Sequence, residues 1–189
     1  TYPAGKPDTS YIIPDSVTSI GSYAFYWCTS LTEVIIPDSV TTIGNSAFFY
    51  CTLLKKIIIP DSVTSIGSYA FYWCTSLTEV IIPDSVTSIG DSAFYSCDLL
   101  TGIYFQSQTP PEVGSYVFDN CPENMIIYYP EGAEANWGTE WQGFATEAWD
   151  PLTYEVSEDG TASVTDCPDN FTGAVTIPSS ITVDGTAYT

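Results

Sequence analysis

The residues of this chain that could do chemistry are carboxylates and thiols. The 189-residue sequence contains no histidine, and its only cations are Lys6, Lys55 and Lys56. Ser-His-Asp and Cys-His nucleophilic sites, histidine-held metals and arginine clamps on phosphate cannot be assembled from that alphabet. Two sets of carboxylates recur at regular spacing. Glu33 and Glu79 share with Lys56 one position of a 23-residue period. If that position faces outward on parallel strands ~4.8 Å apart, the two glutamates stand ~9.6 Å apart, near the wide limit of an inverting glycosidase pair. Lys56 would then fill the place of the attacked sugar, so an alternating charge ladder that relieves glutamate repulsion is the stronger reading. Asp15, Asp38, Asp61 and Asp84 each follow a proline. A stack of like charges can attract calcium, but capping of local backbone N–H groups at a turn is the simpler role.

Six cysteines raise the question of disulfides. Cys28, Cys51, Cys74, Cys97 and Cys121 hold one position of the period, so they are expected as a buried ladder of free thiols. No CxxC occurs, and ligands strung along an axis do not converge, so no metal centre and no cofactor is expected. Cys167 stands outside the period as the only candidate reactive thiol. The sequon Asn170-Phe171-Thr172 carries little weight if the source is bacterial.

The elements that position these groups follow from composition and repetition. Three basic against 23 acidic residues give a net charge of −20, which repels nucleic acid and anionic lipid surfaces. A hydrophobic fraction of 44% and an aromatic fraction of 15% mark a folded chain rather than an acidic tail. No apolar run approaches the ~18 residues of a membrane span, so no membrane insertion is expected. The chain starts Thr1-Tyr2-Pro3, without initiator methionine or leader, and that start is expected to be a processing or expression boundary.

Pro14, Pro37, Pro60 and Pro83 are each 23 residues apart, as are Gly21, Gly44, Gly67 and Gly90. Residues 13–35 and 59–81 are identical, and a diverged fifth copy runs from Phe105 to about Tyr129 after a one-residue insertion. So short a unit cannot bury a face alone, and stacked units must share one core. Within a unit, Leu31, Val34 and Ile36 should point inward from a strand, leaving Glu33 and Ile35 outward. Proline stops the ladder at a corner, Val40 and Ile43 return to the core, and Gly44 permits a turn that a side chain would obstruct. Ser22, Asn45, Ser68, Asp91 and Ser115 are helix N-cap types, and Ala24, Phe25 and Cys28 follow at the spacing of one helical turn. Each unit therefore reads as strand, corner, short extended piece and capped helical turn, with strands expected at 31–36, 54–59, 77–82 and 100–105.

This pattern resembles the BspA-like leucine-rich repeats of bacterial and protist surface proteins, whose units read roughly IPxxVxxIGxxAFxxCxxLxxIxI. The likeness covers about residues 11–130. It implies a right-handed leucine-rich-repeat solenoid of about five units, with a parallel sheet on one face and short helical turns, secreted or surface-attached and often adhesive. It implies no catalytic site.

The period is lost after Pro130. In 131–150, Trp137, Trp141 and Phe144 recur at i, i+4 and i+7 and are expected on one face of a short helix capping the array of 1–130; a ligand-stacking cluster is the competing reading. In 151–189, Glu158-Asp159-Gly160 and Val183-Asp184-Gly185 signal β-hairpins. The stretch Val175-Thr176-Ile177-Pro178-Ser179-Ser180-Ile181 echoes the repeat corner, as the start of a second array would in a longer parent chain.

Function then reduces to surface. A non-catalytic extracellular scaffold binding a host or cell-surface protein is the leading class; a carbohydrate-binding module is the alternative. The sheet face should expose an apolar row of Ile12, Ile35, Ile58, Ile81, Tyr104 and Tyr128, and such a patch marks interaction sites. The opposite turns should carry an aromatic stripe of Tyr26, Trp27, Phe49, Tyr50, Tyr72, Trp73 and Tyr95. Self-stacking that only stabilises the array competes with both.

Overall fold

The computed structural model describes residues 9–149 and, beyond them, the backbone of strands at 153–156, 162–166, 181–183 and 186–188. In chain order the first elements are β1 (Ser10–Ile12), β2 (Glu33–Ile35), β3 (Thr42–Ile43), β4 (Lys56–Ile57), β5 (Ser65–Ile66) and β6 (Glu79–Ile82). They are followed by β7 (Ser88–Ile89), β8 (Gly102–Phe105), β9 (Glu112–Val113), β10 (Ile126–Pro130), α1 (Glu134–Trp137), β11 (Glu140–Trp141) and β12 (Phe144–Trp149). Last come β13 (Thr153–Val156), β14 (Ala162–Asp166), β15 (Ile181–Val183) and β16 (Thr186–Tyr188).

Parallel pairing follows the 23-residue period. Ile12 faces Ile35, Val34 faces Ile57, Val80 faces Ile103, and Ile103 faces Ile127, every pair parallel. A parallel bridge from Ile58 to Ile81 joins β4 to β6, so one strand per repeat lines up as the spacing predicts. The short extended piece forms a second parallel sheet, β3-β5-β7-β9, which the sequence reading leaves as a mere connector. Its hydrogen bonds are reinforced by threonine: Thr41 Oγ1 donates to Thr18 O at 3.2 Å, and Thr64 Oγ1 to Thr41 O at 3.3 Å.

The core is a set of like-on-like columns. Leu31, Leu54, Leu77 and Leu100 are buried, as are Ile20, Ile43, Ile66 and Ile89. The phenylalanines stack: Phe25 on Phe48 at 5.0 Å, Phe48 on Phe71 at 5.3 Å, Phe71 on Phe94 at 5.1 Å. A repeat array satisfies packing once and then copies the solution. The cysteine column lies inside it with free thiols, and from Cys51 onward each thiol donates to the preceding rung, as Cys51 Sγ to Phe25 O at 3.1 Å and Cys74 Sγ to Phe48 O at 3.2 Å, while Cys28 Sγ faces Tyr26 O of its own rung. Cys121 ends the column and is half-buried, more open than expected, because no further turn stacks on it.

The capped helical turn is corrected. Residues 21–28 form successive β-turns, with Ala24 N–H donating to Gly21 O at 3.2 Å and Cys28 N–H to Phe25 O at 3.3 Å. Tyr23 and Trp27 adopt φ of 60° and 63°, a left-handed conformation that ends any helix. That backbone turns alternate N–H groups along the axis: Tyr23, Phe25 and Trp27 donate to Asn45 O, Ala47 O and Phe49 O at 3.0, 2.7 and 2.8 Å. A helix would have consumed those donors internally; the turns use them to bind the next rung. Two of the expected N-caps, Asn45 and Asp91, act between rungs as well. Asn45 Oδ1 accepts the Ser68 N–H at 3.0 Å, and Asp91 Oδ1 the Ser115 N–H at 2.7 Å.

The corner also differs. No hydrogen bond reaches the carboxylates of Asp15, Asp38, Asp61 or Asp84 among the described residues. The following serine makes the bond instead, Ser39 Oγ donating to Val17 O at 2.7 Å and Ser62 Oγ to Val40 O at 2.6 Å.

Past the array, the single helix expected to carry Trp137, Trp141 and Phe144 is broken. The helix α1 ends at Gly138, whose φ is 70°, and Gln142-Gly143, with φ of 53° and 84°, turn β11 back onto β12, as a two-residue hairpin loop requires. The three aromatics still converge. Trp137 lies 4.8 Å from Phe105, Trp141 5.4 Å from Phe105, and Phe144 6.2 Å from Phe118, closing over the last core phenylalanines. β12 pairs in parallel with β10 and prolongs the sheet.

Thr1–Trp149 and Asp150–Thr189 are separate compact units. In the second, β13 pairs antiparallel with β14, and β15 with β16. The turn residues between them, Cys167, the sequon and the echo of the repeat corner lie outside the described residues.

Candidate binding surfaces

Alternation along each strand, inward at Val34 and outward at Glu33 and Ile35, puts two rows on the sheet face. Ile12 and Ile35 keep 69% and 49% of their surface exposed. The row does not stay open. Ile58 is half-buried, Ile81 is only 9% exposed between Ile58 and Tyr104, and Tyr104 and Tyr128 are half-buried. Ile81 is therefore removed from the exposed row that its register predicts.

The pattern also breaks two residues along the strand. Gly102 stands in register with Glu79 and Ile126, where other rungs carry a side chain. A Cβ there would lie 3.1 Å from Tyr104 Cε2 and 3.2 Å from Tyr128 Cε2. The vacated place seats the two rings, stacked 4.5 Å apart, and Trp149 meets Tyr104 edge-on at 4.9 Å while its Nε1 donates to Phe105 O at 3.3 Å. Burial, then the nearby Glu79 and Tyr128, push the Tyr104 phenol up to about 12. Trp149 belongs to this aromatic corner and was not singled out by sequence. Glycine replacing the charged outward residue at 102 was the available signal.

On the turns, the aromatics form two columns. Tyr26, Phe49, Tyr72 and Tyr95 stack at 5.0, 4.9 and 4.8 Å with nearly parallel planes. Trp27, Tyr50 and Trp73 stack at 4.1 and 5.2 Å. Rings stacked along the axis use their faces on one another and turn their edges outward. Asn120 Nδ2 closes the first column by donating to Tyr95 Oη at 2.7 Å.

The charged row is open. Glu33 and Lys56 are paired in register, and Glu33, Lys56 and Glu79 are all exposed; the lysine stands between the two glutamates on a sheet face rather than in a cleft. Among the described residues no three Cys, Asp or Glu side chains converge as a metal site would require, and no helix is long and apolar enough to cross a membrane.

Comparisons with known proteins agree with this geometry. The leucine-rich repeat protein of T. pallidum has a similar structure, at 31% identity over 65% of this chain and 59% of that one, with a TM-score of 0.61. A leucine rich cell surface protein from Faecalibacterium prausnitzii A2-165 is similar at 33% identity over 82% of this chain and 45% of that one, with a TM-score of 0.54. The pneumococcal vaccine antigen PcpA shares the fold, with 21% identity over 79% of this chain and 43% of that one and a TM-score of 0.56. The chain thus spans less than two thirds of each of these proteins. None of the curated proteins matches it. Residues 5–125 match the BspA type leucine rich repeat region in six copies, the sixth accounting for the partial unit ahead of Pro14. With that match over most of its length and parallel rungs recurring through the same residues, this chain belongs to the BspA-type leucine-rich repeat family.

Proposed function

We propose that the chain is a non-catalytic binding scaffold, displayed outside the cell on a bacterial surface, that docks a protein partner on the sheet face of its first rungs. One observation carries the reading: Ile12 and Ile35, neighbours in register, expose 69% and 49% of their surface side by side, and Ile58 continues the row. Contiguous apolar exposure characterises interaction sites, and repeat arrays bind along extended faces. Glu33 and Lys56 alongside supply the polar rim of such an interface. A family of bacterial surface scaffolds supports the location. The aromatic columns are a weaker platform for sugars, which stack on ring faces, because those faces are occupied by neighbouring rings.

The test is a screen of the purified chain against arrays of host ectodomains and of glycans. Saturable binding of a protein ligand is the expected result. Glycan binding lost in Trp27→Ala with Trp73→Ala, with no protein ligand found, contradicts the reading.

A further inference from the structure

We propose a second binding site, separate from both surfaces, in a polar cleft where the fourth repeat meets the diverged fifth; its ligand is a neutral saccharide. The cleft measures about 460 Å³ and lies between the β7–β9 edge of the second sheet and the loop at 106–111, with Asp84 and Glu112 on its walls. Its origin is the insertion. Where earlier rungs read Ile-Pro-Asp-Ser-Val, this one reads Phe105-Gln106-Ser107-Gln108-Thr109-Pro110-Pro111, and Ser107, Thr109, Pro110 and Pro111 of the longer corner line the cleft.

The loop is held in place. Asn136 Nδ2 donates to Gln108 O at 2.9 Å, Trp137 Nε1 donates to Ser107 O at 3.3 Å, and the Thr109 N–H donates to Ser107 Oγ at 3.3 Å. A wall fixed before binding spares the ordering cost of association. The volume falls in the range of small-ligand sites, whose lining is ordinarily apolar; this lining is hydroxyl and carboxylate, relieved by Pro110 and Pro111.

Ligand class follows by elimination. The net charge of −20 and the absence of any cation in the lining exclude anions. Only two carboxylates line the cleft, and among the described residues no three Cys, Asp or Glu side chains converge as a metal site would require. Neither the Asp84 nor the Glu112 carboxylate has a hydrogen-bond or ion-pair partner among the described residues, although the Glu112 backbone N–H donates to Thr87 O at 3.0 Å, whereas the Asp91 carboxylate accepts the Ser115 N–H. Both carboxylates therefore present acceptors only; the Thr87 hydroxyl donates to Thr64 O at 3.3 Å and keeps only its acceptor, while the hydroxyls of Ser88, Ser107 and Thr109 present donors and acceptors. A guanidinium would serve the carboxylates and leave the hydroxyl donors without acceptors. A saccharide is donor and acceptor at once, and its C–H face can rest on the two proline rings.

The test titrates the 189-residue chain with methyl glycosides of glucose, galactose, mannose and N-acetylglucosamine, and with arginine amide, followed by two-dimensional NMR. The expected result is saturable shifts at Ser107, Thr109 and Glu112 with at least one glycoside, weakened about tenfold or more in Asp84→Asn with Glu112→Gln and unchanged in Trp27→Ala with Trp73→Ala. Melting curves of both double variants check the fold; the exposed carboxylate-to-amide changes are expected to leave it intact. Shifts from arginine amide alone, glycoside shifts on the aromatic columns, or none at the cleft would overturn the proposal. Because the protein-binding face is not touched by these variants, failure here leaves that reading standing.

Discussion

Gly67 and Asn45, on adjacent rungs, approach so closely that a Cβ on Gly67 would lie 2.6 Å from the Asn45 backbone nitrogen. Gly44 meets Ser22 in the same way at 2.7 Å, and at both glycines backbone atoms, which cannot step aside, stand in the way, joined at Gly67 by Asn45 Oδ1. The glycine column thus sets the distance between rungs; its φ is ordinary, so turn freedom is not what selects it. Gly21 has nothing within 4 Å, because no described rung precedes it there.

Gly67→Ala is therefore expected to destabilise the array by about 1–3 kcal/mol, the scale of overpacking in a close-packed site. Gly21→Ala should stay within about 0.5 kcal/mol. Urea unfolding of the two variants checks this, and equal costs would remove the close-approach account.

The thiol ladder should be silent in the native state. Cys28, Cys51, Cys74 and Cys97 are buried, so among the five array thiols a thiol reagent is expected to reach Cys121 first and the others only on unfolding. Burial pushes the Cys74 and Cys97 thiols up from 9.0. With folded values raised, their contribution is fully present below pH 9 and is lost as pH climbs beyond it, since the unfolded chain gives up its thiol protons first. Melting temperature is thus expected to fall above pH 9, less steeply in Cys74→Ala.

Tyr104 offers a spectroscopic check of the aromatic corner. Its phenol is expected to ionise near 12 rather than 10.0, seen as a late component of phenolate absorbance that disappears in Tyr104→Phe. The sign is the same as for the thiols: stability linked to Tyr104 is complete below pH 10 and declines toward pH 12. A titration near 10 would show that its ring is not covered by Tyr128 and Trp149.

Much of this architecture was legible because a repeated residue reports its environment several times over. Proline, glycine, cysteine and leucine at one spacing gave strands, corners and core in register. Propensity misled where tertiary bonding overrode it. Ser22-Tyr23-Ala24-Phe25 reads as a capped helical start, yet Tyr23 and Trp27 take left-handed φ because their N–H groups are claimed by Asn45 O and Phe49 O of the next rung. The same blindness to neighbours hid the burial of Ile81 between Ile58 and Tyr104. Trp137, Trp141 and Phe144 kept their shared burial although their backbone changed from helix to hairpin, since an apolar face can be delivered by either period.

The central claim is that the open isoleucine row of the first rungs is the docking face. Its most direct test is the affinity of the protein ligand found by screening for Ile35→Glu with Ile58→Glu, measured beside Trp27→Ala with Trp73→Ala, each with an unchanged melting curve. Ile81 is left intact because a buried charge there would unfold the sheet. The account predicts at least about a tenfold loss for the isoleucine pair, as for central apolar contacts of an interface, and retained binding for the tryptophan pair. Full affinity in the folded Ile35→Glu and Ile58→Glu double variant would contradict it.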